Sequence, residues 1–480
     1  MENKLERRYG LLTAICMVVG IVIGSGVFFK AQTVLQLTNG SMWIGIIAWL
    51  AGGLIMVSCV LAFAIMASTY EKCNGVVDYA EALVGPKYAY YVGWFMSTIY
   101  YPTLVSVLAW LSARYTLVFF QSVNPNIVMT EGGPVVGAEC MALALLMLCG
   151  SYGLNALSPK LSGYFQVSTT FIKLVPLALM MVFGVIYGLA NGQLTENFQN
   201  QQVVADAAVA ASGMDWKGML SGMVATAFAY EGWIIATSIN SELKDSKKNL
   251  PIALTVGSIV IIAVYVFYFV GVAGGASTET LMEQGATTAF LSIFGDFFGN
   301  ILNLFIAISC MGTLNGLMIA CTRGMYSLAI RGEGFKPELF SGVDPQTKMA
   351  TNSSILGLGL AGFWFVFFYG GNLAPHNWFG IFSFDSSELP IVTTYLLYLP
   401  IFFMFMKKND SKSVLRRYVI PVAAILGSLA MIGAAIYSHG IKPYLAAKAV
   451  GAFSMPVLFY LIVFAVVMLI GYLVNRKNEK

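Results

Sequence analysis

Two hydrophobic segments of this chain are interrupted at their centres, and this restricts its fold more than any other feature. The first runs from Leu11 to Phe29 and carries Gly24-Ser25-Gly26. The sixth runs from Met219 to Ile239 and carries Glu231-Gly232. Hydrocarbon offers no hydrogen-bond partners, so a helix facing lipid leaves no backbone group unpaired. An interruption therefore belongs where the backbone is enclosed by protein or lines a cavity. Paired interruptions five spans apart point to the binding site of a secondary carrier.

The remainder of the chain agrees with a membrane solvent. Hydrophobic residues make up 58% of it, charged residues 10%, and the mean hydropathy is +0.76; an ordinary globular domain is about 25% charged. Twelve spans of roughly 20 residues or more are expected, at about 10–30, 42–68, 88–121, 138–156, 162–190, 217–240, 250–274, 290–330, 352–370, 378–406, 418–437 and 452–474. The first is too punctuated by glycine, and too poor in a small-residue cleavage pattern, to read as a signal peptide. Stretch 191–216 is too short for a soluble domain.

With both termini placed in the cytoplasm, the alternate loops divide the 27 Lys and Arg residues unevenly. Lys30, Arg114, Lys217, Lys442 and Lys448 fall on the far side, Lys173 falls within a span, and all the others are cytoplasmic. That asymmetry is the positive-inside rule, and it accounts for the net charge of +4 without a nucleic-acid partner. The expected location is the cell membrane.

Several chemistries find no support. The seven cysteines sit mostly in apolar segments, as small buried hydrophobes do. No Cys/His spacing suggests a metal. The two histidines, His376 and His439, stand alone in predicted outer loops. There is no phosphate-binding loop and no Ser/His/Asp set, so neither an ATP-driven pump nor a membrane enzyme is indicated, and no cofactor is expected.

The interruptions themselves carry chemistry. In Gly20-Ile21-Val22-Ile23-Gly24-Ser25-Gly26-Val27-Phe28 the first half-helix ends in free carbonyls near Val22 and Ile23. The second begins with free N–H groups near Ser25, Gly26 and Val27, the positive end of a helix dipole, which suits a carboxylate. The sixth segment presents carbonyls near Phe228 and Ala229 and restarts after Gly232. Facing each other, the two breaks would receive a zwitterion: carboxylate on amides, ammonium on carbonyls. Gly24 and Gly26 also suit a close helix-packing face; the second break favours the binding site.

The first of these runs resembles the first-helix signature of the amino acid–polyamine–organocation superfamily. Phe228-Ala229-Tyr230-Glu231-Gly232-Trp233, with Glu242 and Asn249-Leu250-Pro251 behind it, is similar to the sixth-helix signature of the L-type amino acid transporter branch. The resemblance covers the whole chain. It implies an all-α LeuT-like fold, with spans 1–5 (1–190) and 6–10 (217–406) as inverted repeats and peripheral spans 11–12 (418–474). It also implies exchange or symport of amino acids or amines by alternating access. By that resemblance Ser25 and Gly26 take the substrate carboxylate, Val22 and Phe228 offer carbonyls to the α-amino group, and the Phe228 ring gates the site. Eukaryotic light chains of the branch carry a cysteine between spans 3 and 4 that bonds a heavy chain. Residues 122–137 contain none, so no covalent heavy chain is expected.

Two positions depart from the pattern. Asp245-Ser246 replaces a frequent Asn-Pro and is assigned no function. Glu231 replaces a small residue and puts an ionisable group in the site, a functional signal at membrane depth. It can pair with the far cation of lysine, ornithine, arginine or a diamine; it can titrate a proton; or it can be a neutral hydrogen-bonded group. Lys173 resembles the family's fifth-helix lysine. It can brace the first helix at the carbonyls of Gly20 and Ile21, as in a sodium-independent exchanger, or release a proton, as in a symporter of neutral amino acids. Glu71, Asp78 and Glu81 suit a cytoplasmic gate or a solvated face, and Glu242 a gate pairing. Asp385 and Glu388 are expected at the outer vestibule, and Tyr100 and Tyr101 to face lipid or core rather than the pocket. A non-transporting sensor on the same fold is the other function class, and no appended domain favours it.

Overall fold

The computed structural model describes residues 10–70, 75–199, 216–235, 237, 243–345 and 349–476, and its elements are all helices. We number the main ones in chain order: α1 (Leu11–Val22), α2 (Gly26–Leu37), α3 (Met42–Thr69), α4 (Val76–Leu83), α5 (Pro86–Val123), α6 (Gly133–Leu157) and α7 (Lys160–Ala190). There follow α8 (Trp216–Ala229), α9 (Ser246–Ala273), α10 (Thr278–Gln284), α11 (Ala286–Ala329), α12 (Thr351–Leu373), α13 (Leu389–Lys408), α14 (Leu415–Ala449) and α15 (Pro456–Arg476).

Among the described residues, ten single helices are long and apolar enough to cross a membrane; α1 and α2, bent by 50° at their junction, bring the number to 11 when taken as one broken span. The sequence leads to twelve. The difference lies at the sixth segment, where α8 stops after 14 residues. The chain beyond it is held by single turns, Ile235 N–H to Gly232 O at 2.9 Å and Thr237 N–H to Ile234 O at 3.1 Å. Residues 236 and 238–242, including Glu242, lie outside the described residues, as does Glu71.

Other boundaries move for physical reasons. The first span continues to Leu37 because Gly24 and Ser25 interrupt the helix without ending it. The tenth begins at Leu389 rather than near 378, because Asp385 closes a turn there: its Oδ1 accepts the N–H of Ser387 at 2.7 Å and of Glu388 at 3.0 Å. Helix α11 is 44 residues long and contains one reversal, at Gly295 with φ 73°. Lys30 and Arg114, counted on the far side, lie inside α2 and α5.

The helices approach closely where they carry small residues, as membrane helices do. A Cβ at Gly271 in α9 would lie 2.2 Å from Met180 O in α7, and one at Gly274 would lie 2.0 Å from Gly184 O. The buried core surrounds the two breaks. Exposed Leu, Ile and Val side chains cover the outward faces of α14 and α15, where Leu426 and Leu469 are 61% and 56% exposed.

Candidate functional site

The two breaks meet backbone to backbone. A Cβ on Gly26 would fall 2.6 Å from Ala229 Cα, and one on Gly232 would fall 3.4 Å from Ile21 O. Gly232 has φ +105°, a region that glycine alone occupies without strain. Glycine at both positions lets the breaks face each other.

In the first break, Ile23 is extended (φ −66°, ψ 105°), and the ladder of α2 resumes with Phe29 N–H to Ser25 O at 3.1 Å. The amides before Phe29 belong to the first turn and have no acceptor within their own helix. Ser25 is 1% exposed, and its Oγ has no nitrogen or oxygen partner among the described residues. The backbone amides of Ser25 and Gly26 are therefore the donors these residues bring to the cavity they line.

The carbonyl side is more occupied than the sequence suggests. The hydroxyl of Tyr265, in α9, lies 3.1 Å from Val22 O and 2.9 Å from Ala229 O. It bridges the two broken segments. One hydroxyl hydrogen serves one carbonyl at a time, so each oxygen keeps a lone pair for a further donor. Lys173 Nζ donates to Gly20 O, two residues before Val22 in α1, and is 4% exposed. Sequence reasoning missed Tyr265. The available signal was a tyrosine in an apolar helix, whose buried hydroxyl needs a partner.

The cavity, of about 140 Å³, is walled by Gly20–Val22, Gly24–Gly26, Lys173, Phe228, Ala229, Glu231 and Gly232, and also by Tyr100, Gln166, Thr313 and Leu317. The sequence-derived residues Val22, Ser25, Gly26, Lys173, Phe228, Ala229, Glu231 and Gly232 all reach it; Ile23 is buried beside it without lining it. Tyr100 is a correction: it lines the cavity, and its hydroxyl donates to Glu231 Oε1. Its face was illegible because Met96–Tyr100 is a turn of π-helix, which shifts the helical register by one residue. No Lys, Arg or His pairs with Glu231 among the described residues.

On the α2 side the cavity is closed. Phe228 lines it and stands 6.3 Å from Phe29 by ring centroids, with Lys30 Nζ 5.3 Å from the Phe228 ring and 5.1 Å from that of Phe29. Lys30, 2% exposed, pairs with Glu388, whose second oxygen lies 3.1 Å from His439 Nε2. Glu388 thus points inward rather than into an open vestibule, and His439 sits in a helix beside it rather than alone in a loop. A buried ion pair of this kind is costly to split, about 3–5 kcal/mol when one partner is removed. At the opposite end of the bundle Arg331 pairs with Asp78 and Glu81 of α4. Among the described residues no three His, Cys, Asp or Glu side chains gather as metal ligands.

The amino acid permease family matches residues 9–480. The serine/threonine exchanger SteT of Bacillus subtilis is 28% identical over 438 residues, 90% of both chains. The b(0,+)-type amino acid transporter 1 of Homo sapiens is 28% identical over 341 residues, 70% of this chain and 65% of that one. The human cystine/glutamate transporter is 27% identical over 342 residues, 70% of this chain and 64% of its own. The crystal structure of MhsT in complex with L-phenylalanine superposes with a TM-score of 0.60 at 12% identity, covering 90% of this chain and 99% of that one, which is a likeness of fold.

Proposed function

Because this chain belongs to the amino acid permease family, an integral membrane transporter rather than an enzyme, we propose that it is a sodium-independent amino acid exchanger that accepts cationic amino acids or related amines through Glu231. One observation carries the cationic preference. Glu231 lines the cavity beside the two breaks, receives a hydrogen bond from Tyr100, and has no basic partner among the described residues. A carboxylate at membrane depth is held by a counter-charge, and here the substrate's far ammonium supplies it.

The remaining parts follow from the same geometry. The amides of Ser25 and Gly26 receive the α-carboxylate, and the free lone pairs of Val22 O and Ala229 O, with Ile23 and Phe228 beside them, receive the α-ammonium. Lys173 fills the position of a coupling cation by holding Gly20 O, so the broken helix keeps its shape without sodium. Alternating access consists of releasing Lys30 from Glu388 to open the α2 side and closing the cavity on the α1 side. We read twelve spans, with α8 completed beyond Ala229. Residues 1–190 and 217–406 form inverted repeats, 418–474 the peripheral pair, and both termini are cytoplasmic. The carrier works without a covalent heavy chain. SteT, an exchanger by name, supports exchange over symport.

Proteoliposomes test the exchange. Labelled L-lysine should enter vesicles loaded with unlabelled L-lysine much faster than empty ones, with no requirement for sodium and no stimulation by an inward pH gradient. Equal uptake by empty vesicles under a pH gradient would make the chain a proton symporter, and Lys173 or Glu231 its proton carrier.

A further inference from the structure

Arg114 lies in α5 six residues beyond Leu108, which lines the cavity, and so about 9 Å further toward the α2 side. Its guanidinium carbon lies 5.5 Å from the ring centroid of Trp110, 5.8 Å from Phe29 and 5.7 Å from Tyr115. Its hydrogen bonding is poor. Nη2 reaches Gln32 Oε1 at a long 3.4 Å, Nε is buried without a partner, and no carboxylate pairs with it among the described residues. An arginine within a span costs about 2.5–3.5 kcal/mol on insertion scales, and such residues mark pathways.

The contrast with Lys30 is informative. Both cations stand against the Phe29 ring, which also touches Phe228. Lys30 is neutralised by Glu388; Arg114 is not. The next ring past the cavity's closed end therefore carries an uncompensated positive charge. Three aromatic rings flank that guanidinium, and its N–H edges meet no acceptor but Gln32 among the described residues. Those edges pair with a carboxylate in bidentate fashion, where an ammonium acts only as a point charge.

We propose that Arg114 is a docking subsite for the α-carboxylate of an amino acid on the α2 side, occupied before the carboxylate passes Phe228 to the amides of Ser25 and Gly26. Arg114 offers charge and fork geometry to the arriving substrate, and the backbone amides then take the carboxylate over as the Phe228–Phe29 partition opens. The subsite rests on amino acid transport but not on the role of Glu231, since L-serine and L-lysine share the group it recognises.

The full chain in proteoliposomes sorted to a single orientation provides the test, with L-serine and L-lysine as probes and their decarboxylated counterparts ethanolamine and cadaverine as competitors. Arg114→Gln should raise KM about tenfold for entry from the α2 face, with the maximal rate and the KM from the opposite face kept. The rise of KM with ionic strength seen in the parent should vanish, while competition by the two amines stays unchanged. Arg114→Lys keeps the charge and loses the fork, so it should retain the salt dependence and recover only part of the affinity. It also serves if the glutamine variant does not fold. An unchanged KM, an equal rise at both faces, or an equal loss for the amines would overturn the proposal. A failure confined to lysine, with serine behaving as stated, would instead count against the Glu231 reading.

Discussion

Replacing Glu231 by Gln is expected to reduce L-lysine exchange about 10- to 100-fold while L-alanine exchange changes little. The magnitude is that of one charge-assisted hydrogen bond, about 1.5–3 kcal/mol, at about 1.4 kcal/mol per decade. Glutamine has the volume of glutamate and still accepts the Tyr100 hydroxyl, so the cavity wall is preserved and only the charge is removed. Relative rates for lysine and alanine, measured by counterflow at matched protein incorporation, read the effect. If both substrates fall together, Glu231 is not a selectivity element. If only uptake driven by a pH gradient disappears, Glu231 is a proton site. Normal rates for both would make it a neutral structural group.

Removing the Lys173 ammonium should abolish most transport of every substrate. Its partner, Gly20 O, belongs to the last full turn before the break, and without Lys173 that buried carbonyl loses its donor. An unsatisfied buried group costs about 1–3 kcal/mol, which corresponds to a shift of roughly 5- to 150-fold in an equilibrium between two conformations. Both Lys173→Ala and Lys173→Met are expected to fold, to elute as a single species, and to exchange at a small fraction of the parent rate. Met restores the volume and cannot donate, so rescue by Met would assign Lys173 a packing role. Intact exchange in the alanine variant would remove both the brace and the proton-release role.

Much of the proposed site was legible in the sequence because the grip proposed for it is backbone. Gly24-Ser25-Gly26 and Glu231-Gly232 announce interruptions in segments otherwise too apolar to be anything but spans, and hydrocarbon forbids those interruptions elsewhere. Side chains that act across helices were less visible. Tyr265 bridges Val22 O and Ala229 O from α9, but nothing in its local pattern says that two breaks lie opposite it. Tyr100 was misplaced by a π-turn that no hydrophobic period registers. Lys30, Glu388 and His439, placed by the sequence at the end of the first span, at the outer vestibule and in a loop, form one buried cluster because the first break lengthens the first span to Leu37 and the Asp385 turn directs Glu388 inward. The sixth segment reads as resuming its helix after Gly232, whereas the described residues beyond Ala229 make only single turns; a run of apolar residues fixes burial but not whether the backbone within it is helical.

On the proposed reading, the cavity recognises a distal positive charge. L-norleucine is close to L-lysine without that charge. Equilibrium binding of both to the purified chain, followed by competition against labelled L-lysine, measures the difference directly. Lysine should bind at least about tenfold tighter than norleucine, the value of one charge-assisted contact, and the gap should close in Glu231→Gln. Norleucine binding as tightly as lysine, or more tightly, would contradict the account.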